Sequence, residues 1–396
     1  MKFELILPRQ EKTKLAHLGM YIVPMGASYL TANIGDDVEI RIIDENLTDV
    51  DYIWNPDLVG LSVMTSQADR AMEISKRYKE LGIPSIWGGI HPTVVDQTNN
   101  ENIASFVVGE GENLISKILS DFKKGELQRR YQDSNPVDLD KVIPRKDLFK
   151  PDVRVILDTM VASRGCPNGC DFCSASHVYG KKVRRVSIPK ILEGIEKMIS
   201  DYGIFCDDNI TSNRRFVGEL FNELKKYNKT WFVQIDPKAA LDKEIAEMMG
   251  KAGVKVALIG FESANPENFI GNKKYVPPSE WKKAVENLHR NNMAVNGQII
   301  IGFDNDKMDI FDKTEKAIVS SGIDIIGVSM LTPLPGTALY SRIEPRIFDR
   351  KWSNYDLYHV VFEPKHMSPE VLAEGVKRLD KITPSMYSFM RDALSR

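Results

Sequence analysis

The sequence predicts an α/β protein: an open, Rossmann-like parallel sheet, then a partial (βα)6 barrel, then a small helical segment. Three observations carry this. Over the first 125 residues short β-rich runs alternate with amphipathic helical patterns, from 127 to 151 the alternation lapses among prolines and charges, and near residue 155 a second alternation begins. At 396 residues the chain is long enough for two or three domains.

In the first unit, residues 3–7, 38–44, 58–62, 85–87 and 106–108 read as strands. Between them, the stretch 67–81 sets Ala68, Ala71, Met72, Ser75 and Tyr78 on one face, as a helix covering a sheet requires. This unit is assigned to residues 1–126. Pro136, Pro144 and Pro151 with many charges mark 127–151 as a linker. Six strand candidates follow, at 155–162, 202–206, 231–235, 255–260, 294–301 and 323–329. Helical patterns separate them, as where Phe216, Val217, Leu220, Phe221 and Leu224 repeat along one face. Six strands suit a partial barrel over 152–343 better than a closed eightfold one, and such folds gather chemistry at the C-terminal strand ends. Residues 344–396, rich in Trp, Tyr and His, are expected to form an appended helical cap.

Composition narrows the function classes. Hydrophobic residues at 42% and charged residues at 27% fit a globular protein and exclude disordered, collagen-like and coiled-coil chains. Lys+Arg total 53 against Asp+Glu 55, a net charge of -2 that offers no strong field to nucleic acid or an anionic membrane, so no nucleic-acid partner is expected. No apolar run approaches the roughly 20 residues of a membrane span, and Glu4 interrupts what would be a signal core, so a cytoplasmic protein without a transmembrane segment is expected.

Of four cysteines, Cys166, Cys170 and Cys173 fall within eight positions, directly after the first barrel strand. Gly165, Pro167 and Gly169 permit a tight wrap around one centre. Thiolates suit zinc or iron–sulfur clusters. Three of them can hold three corners of a four-iron cluster and leave one iron open to an outside ligand. The alternative is a closed zinc site, with His177 as fourth ligand, in a binding protein without turnover.

This loop and the segments after it resemble the radical S-adenosylmethionine (radical SAM) enzymes. The resemblance implies a [4Fe–4S] cluster on Cys166, Cys170 and Cys173, reductive cleavage of S-adenosyl-L-methionine (AdoMet) to a 5′-deoxyadenosyl radical, and an external one-electron reductant of flavodoxin or ferredoxin type. Phe205-Cys206-Asp207-Asp208-Asn209 matches the segment that faces AdoMet after the second strand, and Gly260-Phe261-Glu262-Ser263 the fourth-strand motif. Phe172, Asp207, Asp208, Gln234 and Glu262 are the implied AdoMet-site residues, with Gly302-Phe303 and Pro333-Leu334-Pro335-Gly336-Thr337 at other recurrent positions. Acids at strand ends can accept hydrogen bonds from the cationic and hydroxyl groups of AdoMet. The plain alternative for Asp207, Asp208 and Asn209 is helix capping, and for Cys206 a packed core thiol.

The first unit resembles the cobalamin-binding domain of cobalamin-dependent radical SAM proteins. Gly60-Leu61-Ser62-Val63-Met64-Thr65, Trp87-Gly88-Gly89-Ile90-His91-Pro92-Thr93 and Val108-Gly109-Glu110-Gly111-Glu112 carry the likeness. It implies that Ser62, Met64, Thr65, Gly88, Gly89, His91, Thr93, Gly109, Glu110 and Gly111 meet the corrin or its nucleotide tail, with glycines letting them approach the backbone. The Asp-x-His-x-x-Gly loop that supplies an axial histidine is absent from residues 8–14, and His17 and His91 are the unit's imidazoles, so cobalamin without a histidine ligand from that motif is expected. A scaffold retained without corrin is the alternative.

The tail from Trp352 to Phe362 resembles segments of members acting on lipids and small molecules, which implies Tyr355, Tyr358 and His359 as cavity or proton-relay residues. The implied activity is methylation of an unactivated carbon of a small-molecule or lipid-like substrate. Radical carbon–carbon coupling, ring formation or rearrangement is the other enzyme reading.

Overall fold

The computed structural model describes residues 1–10, 20–149, 151, 153, 155–269 and 274–384. His17 and residues 11–14 of the first loop lie outside them.

The first unit holds β1 (Lys2–Leu7), β2 (Met20–Ile22), β3 (Glu39–Asp44), β4 (Leu58–Ser62), β5 (Ser85–Gly88), β6 (Ser105–Val108) and β7 (Arg130–Gln132). Six of these make a parallel sheet in the order β3-β1-β4-β5-β6-β7. The chain winds outward on both sides of β1, so the crevice between β1 and β4 is the switch point where open α/β sheets take ligands. Both faces are covered, and strand alternation sorts the side chains. Phe3, Leu5, Leu58, Ile86 and Val107 build one core, while Ile6, Val59, Leu61, Trp87 and Phe106 build the other. The helix Ala68–Glu80 seals the second core with Ala68, Ala71, Ile74, Ser75 and Tyr78.

β8 (Val155–Met160) opens the second series. A short antiparallel ladder, β9 (Ser163–Arg164) with β10 (Arg184–Arg185), stands above it, and β11 (Tyr202–Phe205), β12 (Thr230–Ile235), β13 (Val254–Glu262), β14 (Ala294–Ile301) and β15 (Ile325–Met330) complete it. The parallel order β15-β14-β13-β12-β11-β8-β2 leaves the edges at β15 and β2 unpaired with each other, so the sheet is a curled half-barrel. Each of the six expected strands is present, with ends within two residues of expectation. On the helix Arg214–Leu224, Val217, Leu220, Phe221 and Leu224 are buried, whereas Phe216 is only half-buried beneath Arg185.

Three segments differ from expectation. β2 leaves the first unit and pairs with β8, Tyr21 opposite Ile156, because three residues are too few to show a period in sequence. Residues 127–151 are anchored rather than free: β7 closes the first sheet, Val137, Leu139 and Val142 enter the barrel core, and Lys146 is buried with its ammonium 2.7 Å from Asp158. The prolines break the periodicity without releasing the chain. Among the described residues the tail holds one α-helix, Pro369–Leu379, preceded by a strap pinned by an antiparallel bridge between Ile347 and Phe362.

Lys146→Ala leaves a buried carboxylate without its cation and should cost about 3–5 kcal/mol. This is read as a lower urea midpoint, with most of it restored in Lys146→Met/Asp158→Asn. A loss of the size seen at surface sites would show that the segment does not anchor the barrel.

Candidate functional site

The site begins where β8 ends. The Asp207 carboxylate accepts from the Ala162 amide (2.9 Å) and the Ser163 hydroxyl (2.6 Å), fixing the corner that leads into β9. Beyond it the β9–β10 ladder brackets the cysteine loop. Gly165 has φ +95 and a Cβ there would lie 2.7 Å from the Lys182 carbonyl oxygen, so glycine is required for the loop to fold back on its own far strand.

Cys166, Cys170 and Cys173 are half-buried and line one cavity. Opposite them stand Asp208 after β11, Gln234 and Asp236 around the end of β12, Glu262 at the end of β13, and Lys274. Burial pushes the Cys166 and Cys173 thiols up. Burial also raises the Asp208 carboxyl, against a hydrogen bond from the Gly165 amide. Phe172 points its ring into a cluster with Phe303 (5.8 Å) and Phe269 (6.3 Å), which fastens the loop beside Cys173. Phe303 is itself held by Asp306, which accepts from the Gly302 and Phe303 amides at 2.9 and 3.0 Å.

Glu262 is set by strain. A register shift between Gly260 and Glu262 gives Glu262 φ +67, a left-handed conformation rare for a residue with a Cβ. Its carboxylate meets the Lys274 ammonium. Burial opposes that ammonium, but Glu262, with Cys170 and Asp236, holds its pKa above the ordinary lysine range. His177 is exposed and turns toward Gly336, outside the residues lining this cavity, so it does not complete a four-ligand set. Among the described residues, His, Cys, Asp and Glu side chains form no group of three drawn together as a single-ion site.

A second cavity opens at the switch point of the first sheet. Ser62, Gly88, Gly89, Gly109, Glu110 and Gly111 line it, and Val178 and Tyr179 reach it from the helix Ala175–Tyr179 that follows the cysteines. A Cβ added at Gly88 or Gly109 would meet nothing within 4 Å, so these glycines keep room for a ligand.

Several expected residues do other work. Asp207 is buried and braces the β8 corner instead of facing the cysteine cavity, with burial pushing its pKa up to about 7. Glu110 lines the second cavity, but its carboxylate takes Arg164 at 2.6 Å, Arg184 at 2.9 Å and the Val137 amide. Met64, Thr65, His91 and Thr93 lie outside that cavity's wall. Thr93 ties two glycine turns together, donating to the Gly89 carbonyl (2.7 Å) and accepting from the Gly109 amide (3.0 Å). His91 is buried between Trp87 and Trp352, its Nδ1 has no hydrogen-bond partner among the described residues, and burial drives its pKa down to about 4. Tyr355 is 2% exposed and donates to the Asp349 carbonyl, a packing role. Tyr358 is exposed and His359 is held by Asp356 at 3.0 Å, and neither lines the two cavities. Cys206 faces the barrel interior with its thiol pushed up to about 12 by burial, and Gln234 donates to the Asp208 carbonyl at 3.3 Å.

Sequence reasoning missed Arg164 and Lys274. Arg164 is 3% exposed, clasped by Glu110 and Glu112 at 2.6 Å each and flanked by the Tyr29 and Tyr179 rings. Its place two residues before the first cysteine was the available signal. Lys274 stands in a stretch of sequence that carries no signal. The strap also closes on the first unit: the Ser353 amide donates to Asp69 at 2.8 Å, and the Trp352 ring lies 5.3 Å from His91.

Comparison with known proteins adds an independent line. A family model described as the radical SAM superfamily matches residues 160–318, and one described as the B12 binding domain matches residues 12–119. The chain is 28% identical over 400 residues to the bacteriochlorophyllide d C-12(1)-methyltransferase of Chlorobaculum tepidum, covering 96% of this chain and 86% of that one. It is 28% identical over 364 residues to the hopanoid C-2 methylase of Rhodopseudomonas palustris, covering 85% and 68%. In fold it is similar to the radical S-adenosylmethionine methyltransferase TsrM from Kitasatospora setae, solved with cobalamin and a [4Fe-4S] cluster. That match has a TM-score of 0.68 at 15% identity and covers 86% of this chain and 77% of that one.

Arg164→Met removes the cation from Glu112 and leaves Glu110 to Arg184 alone at the seam between the two sheets. Differential scanning calorimetry should then show the single unfolding transition splitting in two, and Glu110→Gln/Glu112→Gln in the same background should rejoin it. The His91 imidazole, near 4 when folded against 6.5 ordinarily, is protonated first in the unfolded chain, so stability falls as pH drops from about 6.5 toward 4. In His91→Phe, denaturation midpoints across that window should fall less steeply than in the parent.

Proposed function

Because the chain belongs to the cobalamin-dependent radical SAM enzymes, we propose that it methylates an unactivated carbon of a large apolar small molecule or lipid. The observation that carries this reading is the pair of cavities on either side of the helix Ala175–Tyr179. One is lined by three thiols and the other by open glycines.

The residues present fit the cofactors of that family. Three thiols without a histidine beside them suit a cluster with one open iron, and Gly88 and Gly109 leave a cradle that a Cβ would fill. When bound, the cluster with AdoMet supplies one-electron chemistry that removes a hydrogen atom from carbon, and cobalamin supplies a transferable methyl group. Cys166, Cys170 and Cys173 would hold the cluster. Asp208 and Glu262 would accept from the ammonium and ribose of AdoMet, and Lys274 would face its carboxylate, a swap of one ion pair for another within the same wall. Gln234 bridges that wall through the Asp208 carbonyl. Ser62, Gly88, Gly89, Gly109 and Gly111 would take the cobalamin nucleotide, while Glu110 is withheld by its two arginines. The strap from Trp352 spans both units and would exclude water from the space between them.

For the substrate, two relatives are named for methylating a bacteriochlorophyllide and a hopanoid, both large small molecules. The exposed Leu357 and Tyr358, where the Leu357 carbonyl accepts from Met330 at the end of β15, offer an apolar rim for such a molecule. Among the described residues no helix is long and apolar enough to cross a membrane. The electron comes from an external one-electron carrier.

Anaerobic reconstitution should yield about four irons per chain, and Cys→Ala at position 166, 170 or 173 should abolish AdoMet cleavage. With methyl-deuterated AdoMet the label should appear on a carbon of the product, while an unlabelled coupled or cyclised product would refute methyl transfer. Gly88→Val should block uptake of corrin, seen as loss of its visible absorbance after desalting, while leaving AdoMet cleavage in place.

A further inference from the structure

The cysteine loop is roofed by a basic strand. Lys181, Lys182, Arg184 and Arg185 occur in five residues, and the structure divides them. Arg184 turns inward to Glu110 at 2.9 Å and to the Val137 carbonyl. Lys181, Lys182 and Arg185 are exposed, and none of them joins a salt bridge among the described residues. This strand lies directly over the loop: the Lys182 carbonyl packs on Gly165, next to Cys166, and the Lys181 ammonium lies 3.7 Å from where a Gly169 Cβ would be, next to Cys170. On the other rim, Asn168 reaches Asp236 at 3.4 Å, and Asp236 caps a helix whose exposed Lys238 is also without a salt bridge among the described residues. Besides Glu110, the carboxylate of Asp140 is tied to the end of this segment, accepting from the Ser187 amide.

Four exposed cations thus stand beside the cysteine loop in a chain whose net charge is -2. Electron transfer falls steeply with distance, so a carrier has to dock close to the cysteine loop. The positive rim favours a partner of opposite sign. We propose that Lys181, Lys182, Arg185 and Lys238 form the docking surface for an acidic one-electron carrier protein, a flavin or iron–sulfur protein. It is oxidised by one electron as the centre held by Cys166, Cys170 and Cys173 is reduced by one. This rests on the reading of the site given above. Four cations in a chain with balanced total charge suit a compact acidic protein rather than nucleic acid.

The test compares the reconstituted full chain with Lys181→Glu/Lys182→Glu/Arg185→Glu, using two reductants: reduced flavodoxin, and dithionite, which needs no docking. The variant should need at least tenfold more flavodoxin for half-maximal AdoMet cleavage and should lose carbodiimide cross-linking to flavodoxin. Its iron content should be unchanged and its dithionite-driven cleavage within twofold of the parent. Added salt should weaken cross-linking in the parent. Unchanged flavodoxin dependence and cross-linking would overturn the proposal. So would a variant that loses only corrin uptake, or only binding of a fluorescent oligonucleotide, with flavodoxin dependence intact. A parent that fails to cleave AdoMet even with dithionite would instead refute the functional reading, and the cross-linking arm would still judge the surface.

Discussion

The buried guanidinium of Arg164 is the contact on which the arrangement of the two cavities depends. It arises from the short strand before the cysteines, yet both of its carboxylates, Glu110 and Glu112, come from the loop that lines the other cavity. Burying three charges is costly unless each is satisfied, and here two short charge-assisted bonds and two aromatic rings surround the cation. The same arginine that stiffens the cysteine loop therefore also fixes the first sheet against it. Asp207 continues the linkage from the other side by holding Ala162 and Ser163, so the corner before the cysteines is gripped at successive residues.

Rigidity there is matched by openness in the two cavities. Gly88 and Gly109 face empty space, and the cysteine wall is completed by side chains from three strand ends rather than by a fourth metal-binding residue. The left-handed backbone at Glu262 is the one place where the wall is strained, and it aims a carboxylate at Lys274 that the relaxed strand would have turned away. Strain held in place by packed surroundings is a mark of a site shaped for a ligand rather than for stability.

The strap from Trp352 to His359 contributes differently from the way its composition suggests. Tyr355 is packed, Trp352 rests on His91, and Ser353 is bonded to Asp69, so the aromatic residues tie the tail to the first unit and leave only Leu357 and Tyr358 outward. A single buried imidazole beneath that seam, with a nitrogen unpaired among the described residues, makes the junction sensitive to acid.

By itself the sequence determined what depends on local pattern. The strand and helix periods placed both sheets and their helices, and the spacing of three cysteines among glycines placed a ligand loop at a strand end, because such signals are carried by neighbouring residues. Tertiary structure alone decided what each charged group does. Glu110 and Asp207 sit in motifs that suggest ligand contact, but partners more than 40 positions away claim them first. β2 and the anchors within 127–151 were likewise hidden, since a three-residue strand and a proline-broken segment show no period until the barrel supplies their partners. A carboxylate's role follows from which cation reaches it in space, and that is not written in the residues beside it.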